Sequence, residues 1–309
     1  MKKIIVLLFT AVLCTVLLCG CRMSVWPASG LSSFCYDQAE QYTAGGAILS
    51  DAVEQVEIHW LIGRVSVEAC GKNTISFSEE ANRKLTEDNC LYYRLDGTTL
   101  VIQFCRSGKW DMNDLQKDLT VLLPEELLLK ELSVNSVSAE LCADGISAEE
   151  LELDTVSGDI CLKNCGVTNR AKLDTVSGSV EAELVQPLEN LYAGTVSGNV
   201  EITAPGLAAF HADTTSGSVF LAVDTAPKEL DVDTVSGAVT LRLPENAGFT
   251  LDFETVSGEY TSELPCAVKD GRCVCGDGSG DYEIDTTSGD VRIEGKRGEA
   301  GVKSGSHKT

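Results

Sequence analysis

Leu151-Glu152-Leu153-Asp154-Thr155-Val156-Ser157-Gly158-Asp159-Ile160-Cys161-Leu162 is the stretch whose reading decides the fold. Its apolar residues alternate with polar ones on both sides of Ser157-Gly158, and a period of two specifies two short strands meeting at a corner. Glycine suits such a corner because it can take positive φ without a Cβ clash. The centre of the stretch, Thr-Val-Ser-Gly, returns at 175–178, 195–198, 234–237 and 255–258, with altered copies at 214–217 and 286–289 and a worn one at 136–139. Successive first positions are 19, 20, 20, 19, 20, 21 and 31 residues apart. A unit this short holds two or three strands and their turns but no helix, and so regular a period denotes stacked copies of one unit. The expected fold is all-β: a right-handed parallel β-helix, or β-solenoid, with coils of about 20 residues. A leucine-rich repeat would need an Asn-bearing Leu-x-x-Leu-x-Leu frame, which is missing. The few inward side chains of one coil cannot offset the entropy of ordering it, so each coil depends on its neighbours.

Outward from the repeat, the chain divides into further parts. Met1-Lys2-Lys3 and the apolar run 4–18 form a secretory signal, with an h-region too short to prefer spanning a bilayer. It closes on Leu18-Cys19-Gly20-Cys21, which resembles a bacterial lipobox, so residues 1–20 are expected to be removed and Cys21 lipidated. Residues 21–50 carry Pro, Gly and Ser without periodicity and are expected to be a tether. The single β-helix is expected over 51–295, with irregular capping coils at 51–130 and regular ones at 131–295. In the first coil Val56, Ile58 and Trp60 alternate before Gly63, and Trp60 fills the slot Thr takes later, as suits an end coil covering an open core. Asp96-Gly97 between two apolar runs signals a hairpin. The long last interval places an outgrowth at 264–280, and residues 296–309 form a basic, Gly/Ser-rich tail expected to be flexible.

The opening Val56-Glu57-Ile58-x-Trp60-x-x-Gly63-x-Val65-x-Val67, the strand Leu119-Thr120-Val121-x-Leu123-Pro124 and the run of Asp-Thr-Val-Ser-Gly coils resemble the bacterial DUF4097 family over roughly residues 51–295. Members of that family are described as adhesin-like. The resemblance implies a β-helical, envelope-associated protein, with some relatives among cell-envelope stress genes. It defines no catalytic residues to carry over.

The chain has 24 Lys and Arg against 47 Asp and Glu, a formal charge of −23, or −25 once Lys2 and Lys3 leave with the signal. Such acidity repels nucleic acid and anionic lipid surfaces. The acids that precede each Thr align as a column: Asn135, Asp154, Asp174, Gly194, Asp213, Asp233, Glu254 and Asp285. Carboxylates stacked about 4.8 Å apart repel by roughly 0.9 kcal/mol per pair even in water. Each is expected to accept a backbone N–H of its own corner, as in an Asx-turn, the alternative being a row of weak divalent-cation sites.

Ten of the 13 cysteines follow Cys21. Export favours disulfides, and a local bridge of Cys266 with Cys273 or Cys275 is expected across the outgrowth. A zinc site on the same three cysteines is the lesser alternative, and no metal or other cofactor is assigned. Cys142 and Cys161 share a register in neighbouring coils, where parallel Cβ vectors would strain a bridge. The histidines His59, His211 and His307 and the recurring corner serines form no nucleophile–base pair. The function expected is a surface-anchored, non-enzymatic binding or scaffold lipoprotein. It is adhesin-like, held at the membrane by its lipid, and its partner is an envelope glycan or protein. The alternatives are an accessory of an envelope-stress sensor and, on fold alone, a carbohydrate-active enzyme. Outgrowth 264–280 is expected to be dispensable for folding.

Overall fold

A computed structural model describes residues 34–50, 52–109, 114–269 and 272–296. Among them there is no α-helix, only a 3-10 turn at Ala39–Gln41 and 22 strands joined in one sheet. The first part of the chain gives β1 (Thr43–Ala44), β2 (Ala47–Leu49), β3 (Gln55–Cys70), β4 (Ile75–Ala81), β5 (Tyr92–Asp96), β6 (Thr99–Gln103) and β7 (Lys117–Pro124). The repeats give β8 (Leu128–Asp144), β9 (Ser147–Ser157), β10 (Ile160–Ser177), β11 (Val180–Leu184), β12 (Leu188–Thr195), β13 (Val200–Thr214), β14 (Val219–Thr225), β15 (Glu229–Thr234) and β16 (Val239–Pro244). The last part gives β17 (Phe249–Glu254), β18 (Tyr260–Ser262), β19 (Cys266–Lys269), β20 (Arg272–Cys275), β21 (Gly280–Thr286) and β22 (Val291–Lys296).

The strands stack in parallel as a solenoid with two rows meeting at the Thr-Val-Ser-Gly corners. Before the corner the order is β6, β3, β8, β9, β10, β12, β13, β15, β21, β17. After it the order is β7, β3, β8, β10, β11, β13, β14, β16, β22, β18. The alternation read from the sequence fixes which side chains point in: Leu151, Leu153, Ile160 and Leu162 are buried, as are Leu230, Val232, Val239 and Leu241 in a later layer.

Layer order departs from chain order at both ends. β3 lies between the β6/β7 layer and β8. At the far end β21 lies between β15 and β17, and β22 between β16 and β18. The first and last coils of the chain are therefore inner layers, and a period-two pattern is silent on this because it specifies a face, not a neighbour. Trp60 accordingly does not cover an open core. It is buried inside the stack, its indole N–H donating to the Lys117 carbonyl (2.9 Å) and its ring meeting Phe104 edge-on at 4.9 Å.

The β6/β7 end is sealed by strands that run the other way. β4 pairs antiparallel with β7 and β5 with β6, the latter around the expected Asp96-Gly97 turn, with β2 on β4 and β1 on β5. Residues 34–50, expected to be tether, are thus part of the body. Phe34 is buried, Tyr36 and Tyr42 pack with ring centroids 4.6 Å apart, and the Phe34 carbonyl accepts the Gly108 N–H. Three aromatic residues, Phe34, Tyr36 and Tyr42, supply apolar area that the Pro/Gly/Ser content of the segment concealed.

A buried lysine fixes this seal. The Lys117 ammonium lies 2.5 Å from Glu79 Oε2, donates to the Asn89 carbonyl (2.9 Å) and to that of Phe104, and sits over the Trp60 and Phe104 rings at 4.8 and 4.2 Å. Burial pushes its pKa down, and the Glu79 carboxylate works against that push. A buried charge is tolerated only when paired and hydrogen-bonded in this way.

The corner glycines are required by contact. None of Gly158, Gly178, Gly198, Gly217, Gly237, Gly289 and Gly258 has positive φ, so the conformational reason expected for them does not hold. A Cβ on Gly158 would stand 2.1 Å from the Ala139 carbonyl oxygen, and one on Gly198 would stand 1.8 Å from that of Gly178. The row continues with Gly217 on Gly198, Gly237 on Gly217, Gly289 on Gly237 and Gly258 on Gly289. Threonine beside the corner has its own reason. It points inward like the leucines, and its hydroxyl satisfies backbone that the bend frees. Thr175 donates to the Gly158 carbonyl (3.0 Å) and Thr195 to that of Gly178 (2.9 Å), while Thr234 and Thr286 accept the N–H of Gly237 and Gly289 (3.1 and 2.8 Å).

Gly198→Ala is expected to cost about 3 kcal/mol by overpacking against backbone. Gly97→Ala adds a methyl that meets nothing within 4 Å, and should lose only the roughly 1 kcal/mol of a left-handed φ. Urea-unfolding midpoints compare them; equal losses would show that conformation, not contact, selects these glycines.

Candidate functional site

Two columns of outward side chains in the pre-corner row lie nearest the corner. One runs Ser133, Glu152, Lys172, Tyr192, His211, Asp231, Glu283, Asp252, and beside it runs Asn135, Asp154, Asp174, Gly194, Asp213, Asp233, Asp285, Glu254. The second is the acidic column read from the sequence, except that Asp285 precedes Glu254 in space.

Asp154, Asp174 and Asp213 are held by side chains of the first column and not, as expected, by their own corner N–H groups. Lys172 holds three acids, with Nζ 2.7 Å from Glu152, 3.0 Å from Asp154 and 3.3 Å from Asp174. Tyr192 donates its hydroxyl to Asp213 Oδ2 at 2.8 Å. Gly194 interrupts the column because a Cβ there would lie 2.4 Å from Asp174 Oδ1. Burial pushes Asp154 up to about 7 and Asp174 up to about 6 despite Lys172. Asp233 also rises to about 6, through burial and then the charges of Asp213, Asp231 and Asp285.

The backbone-bonding column is the one just after the glycine. Asp159 Oδ1 accepts the Ser179 N–H (2.8 Å), Asn199 Oδ1 that of Ser218 (3.0 Å) and Asp290 Oδ1 that of Glu259 (2.9 Å). Each bond joins adjacent layers and not a corner to itself. The acids at this position, Asp159, Glu259 and Asp290, were visible in the sequence, but the unlike residues that share it, Ser179, Asn199 and Ser218, hid the column.

The ladder therefore divides. Around Lys172 one ammonium partly neutralises three acids. Toward β17 the acids are Asp231, Asp233, Glu283, Asp285, Asp252 and Glu254, met by His211 Nδ1 at 3.9 Å from Asp231 and by Arg272 at 3.1 Å from Asp252.

The outgrowth read at 264–280 is a hairpin of β19 and β20 folded back so that β20 pairs antiparallel with β17, Cys275 opposite Phe249 and Cys273 opposite Leu251. Cys266 and Cys275 are cross-strand partners joined by a disulfide, with Cα atoms 4.2 Å apart. Cys273 is free, its sulfur within 4.8 Å of the other two and 3.3 Å from the Tyr260 hydroxyl. The disulfide occupies two of the three donors that a zinc site would need.

Cys142 and Cys161 are register partners and both free. Burial, then Glu140, pushes the Cys142 thiol up to about 12, and burial raises Cys105 to about 12 and Cys165 to about 11, so none of the three is a nucleophilic thiolate near neutrality. The corner hydroxyls of Ser216, Ser236, Ser257 and Ser288 lie 3.4–3.5 Å from carbonyls of the neighbouring layer. His59 contacts Glu57 at 2.6 Å. Cys21 and His307 lie outside the described residues. Among the described residues no helix is long and apolar enough to cross a membrane.

A family profile described as Toastrack DUF4097 matches residues 56–294. The chain belongs to the DUF4097 family. Three solved structures are similar to this Toastrack chain, each over 82% of its length. A candidate adhesin from Bacteroides fragilis NCTC 9343 is 10% identical, covered over 97% of its own chain, with a TM-score of 0.48. One from Parabacteroides merdae ATCC 43184 is 11% identical, covered over 96%, at 0.40. A candidate cell adhesion protein from Clostridium sporogenes ATCC 15579 is 12% identical, covered over 100%, at 0.28. No curated protein matches.

Two expectations follow for this Toastrack chain. Raised carboxyl pKa values mean that the folded state binds more protons than the unfolded one between about pH 4 and pH 7, so stability falls as pH rises through that window. Melting temperature should be higher at pH 5 than at pH 7.5, and Asp233→Asn should narrow the gap by raising the value at pH 7.5. Lys172→Met should widen it, losing about 3 kcal/mol at neutral pH where buried acids are left unpaired. Deleting 264–280 should not be silent, contrary to the sequence expectation. That segment carries the chain from β18, the outermost layer, back to β21, and without it circular dichroism should show strand loss together with a lower melting temperature.

Proposed function

We propose that this DUF4097 protein is an envelope-tethered, non-enzymatic binding protein of adhesin type, anchored by a lipid on Cys21 at the outer face of the cytoplasmic membrane. Its body is read as a right-handed parallel β-helix with coils of about 20 residues, on the corner spacing. The observation that carries the reading is the rigid ladder. Outward side chains stand in register over ten stacked layers, at the roughly 4.8 Å spacing of neighbouring strands. Such a surface suits a repeating or extended ligand, an envelope glycan or protein, better than a compact substrate. Its acidity disfavours nucleic acid. The corner serines and the acids around Lys172 are bonded into the framework, which supports binding over catalysis.

The described chain reaches the body at the sealed end, where Phe34 meets Gly108, so a tether ahead of it would present the opposite end outward. Labelled palmitate should enter the wild type and not Cys21→Ala, and the variant should leave the membrane fraction; identical fractionation would overturn the anchor. The chain from residue 22 should retain envelope glycan or protein without turnover in glycan-array, pull-down and polysaccharide-degradation assays. Degradation abolished by one outward acid substitution would instead make it an enzyme.

A further inference from the structure

The two ends of the solenoid are finished differently. Beyond β6 and β7 lie antiparallel strands along both rows. Beyond β17 and β18 only β20 is laid down, and it pairs with Phe249, Thr250 and Leu251 alone. Among the described residues, no strand pairs with the outer side of the chain from Asp252 to Ser262.

Exposure follows the ladder. The inward threonine is no more than 7% exposed in Thr155, Thr175, Thr195, Thr214, Thr234 and Thr286, but Thr255 in the last layer is exposed. Ile160, Val180, Val200, Val219, Val239 and Val291 are buried, and their counterpart Tyr260 is only half-buried. Phe253 is half-buried beside it, the two rings 6.1 Å apart, and Val256 and Val268 are 64% and 81% exposed.

Backbone polarity is equally open. The Glu259 carbonyl accepts the Val291 N–H at 2.8 Å, and the Glu263 N–H donates to Ile293 at 2.9 Å. Alternate residues of a strand turn their N–H and C=O to opposite sides, so those of Tyr260 and Ser262 face away from the stack. β18 is short, at three residues, and carries neither the Pro nor the Lys that often blunts a free edge. Glu254, Glu259 and Glu263 stand exposed along it, and Asp252 beside them is met by Arg272.

We propose that the edge formed by residues 252–262 is a strand-acceptor site that takes an extended peptide segment alternating basic and apolar residues. Its backbone would complete the ladder on Tyr260 and Ser262, its apolar side chains would cover Phe253, Thr255 and Tyr260, and its basic ones would meet Glu254, Glu259 and Glu263. This is strand addition, in which main-chain bonds supply affinity and alternate side chains supply choice. A glycan offers no alternating N–H and C=O and does not satisfy this edge. The proposal deepens the binding-protein reading and rests on it for its purpose. Its test is run on the purified protein with a defined probe, so its failure leaves the glycan and anchoring experiments standing.

The probe is fluorescein-labelled acetyl-(Lys-Val)4-amide, titrated by anisotropy against the full chain in detergent, with hydrogen exchange locating the contact. Binding should slow exchange at Tyr260 and Ser262. It should weaken at least about tenfold when alternate probe amides are N-methylated, when Glu replaces Lys in the probe, or in the Glu254→Lys/Glu259→Lys/Glu263→Lys protein, because each removes several hydrogen bonds or charge pairs. Circular dichroism of that variant should match the wild type. If it does not, the two altered probes on unaltered protein decide. Three results overturn the proposal: no binding, binding insensitive to N-methylation, or protection confined to the coil faces. Binding seen only in a chain ending at Lys296 makes residues 297–309 the occupant instead. A dimer by sedimentation with 252–262 protected before probe is added makes it a second copy.

Discussion

The structure depends on how closely one layer can approach the next at the corner. Strands in a ladder sit at a spacing set by hydrogen bonds, and that spacing must hold through the bend as well as along the legs. At the bend the backbone of each layer lies against the carbonyl of the layer before it, and a Cβ on Gly217 would stand 1.5 Å from the Gly198 oxygen. Glycine there keeps the corner in step with the legs. The threonine and serine beside it then satisfy the polar groups the bend exposes, and the leucines on either side can pack in line. The stack works as a unit because each of these depends on the spacing being held at the same place in every layer.

The same spacing governs electrostatics. Identical registers put like charges above one another, and the chain answers with unlike residues: Lys172 among Glu152, Asp154 and Asp174, then Tyr192 and a missing side chain at Gly194. Relief is concentrated in the middle layers and thins toward β17. The surface is thus graded along its length, partly neutralised near Lys172 and most acidic at the end where the core also opens.

Much of this was legible in the sequence. The alternation around Ser157-Gly158 gave the faces, the period gave parallel stacking, and the Asp96-Gly97 turn and the acidic column stand where they were read. What failed to show has a common physical cause. Which layer lies next to which is decided by long-range pairing, so the insertion of β3 and β21 left no local mark. The contact role of Gly158 looks the same in sequence as a positive-φ role. Lys117 gave no signal because its partners Glu79, Asn89 and Phe104 come from three separate segments. The cysteines of 264–280 were noticed for their spacing, yet that the hairpin returns onto β17 depends on pairing between residues 22 to 26 apart in the chain.

The inner placement of β3 and β22 has a kinetic side. In a simple stack, assembly starts anywhere and grows layer by layer from either chain end, and the ends fray first. Here the chain's own first coil cannot settle until residues as far on as β7 and β8 have emerged to flank it, and the last coil must enter a slot between two layers that precede it. Nucleation is thereby directed to the middle repeats, whose neighbours are also their neighbours in sequence. A chain delivered from its N-terminus must hold its first coil unfolded for some seventy residues (the distance from β3 to the start of β8). Once inserted, each terminal coil is clasped on both sides, and unzipping from a chain end is closed off as a route to the unfolded state.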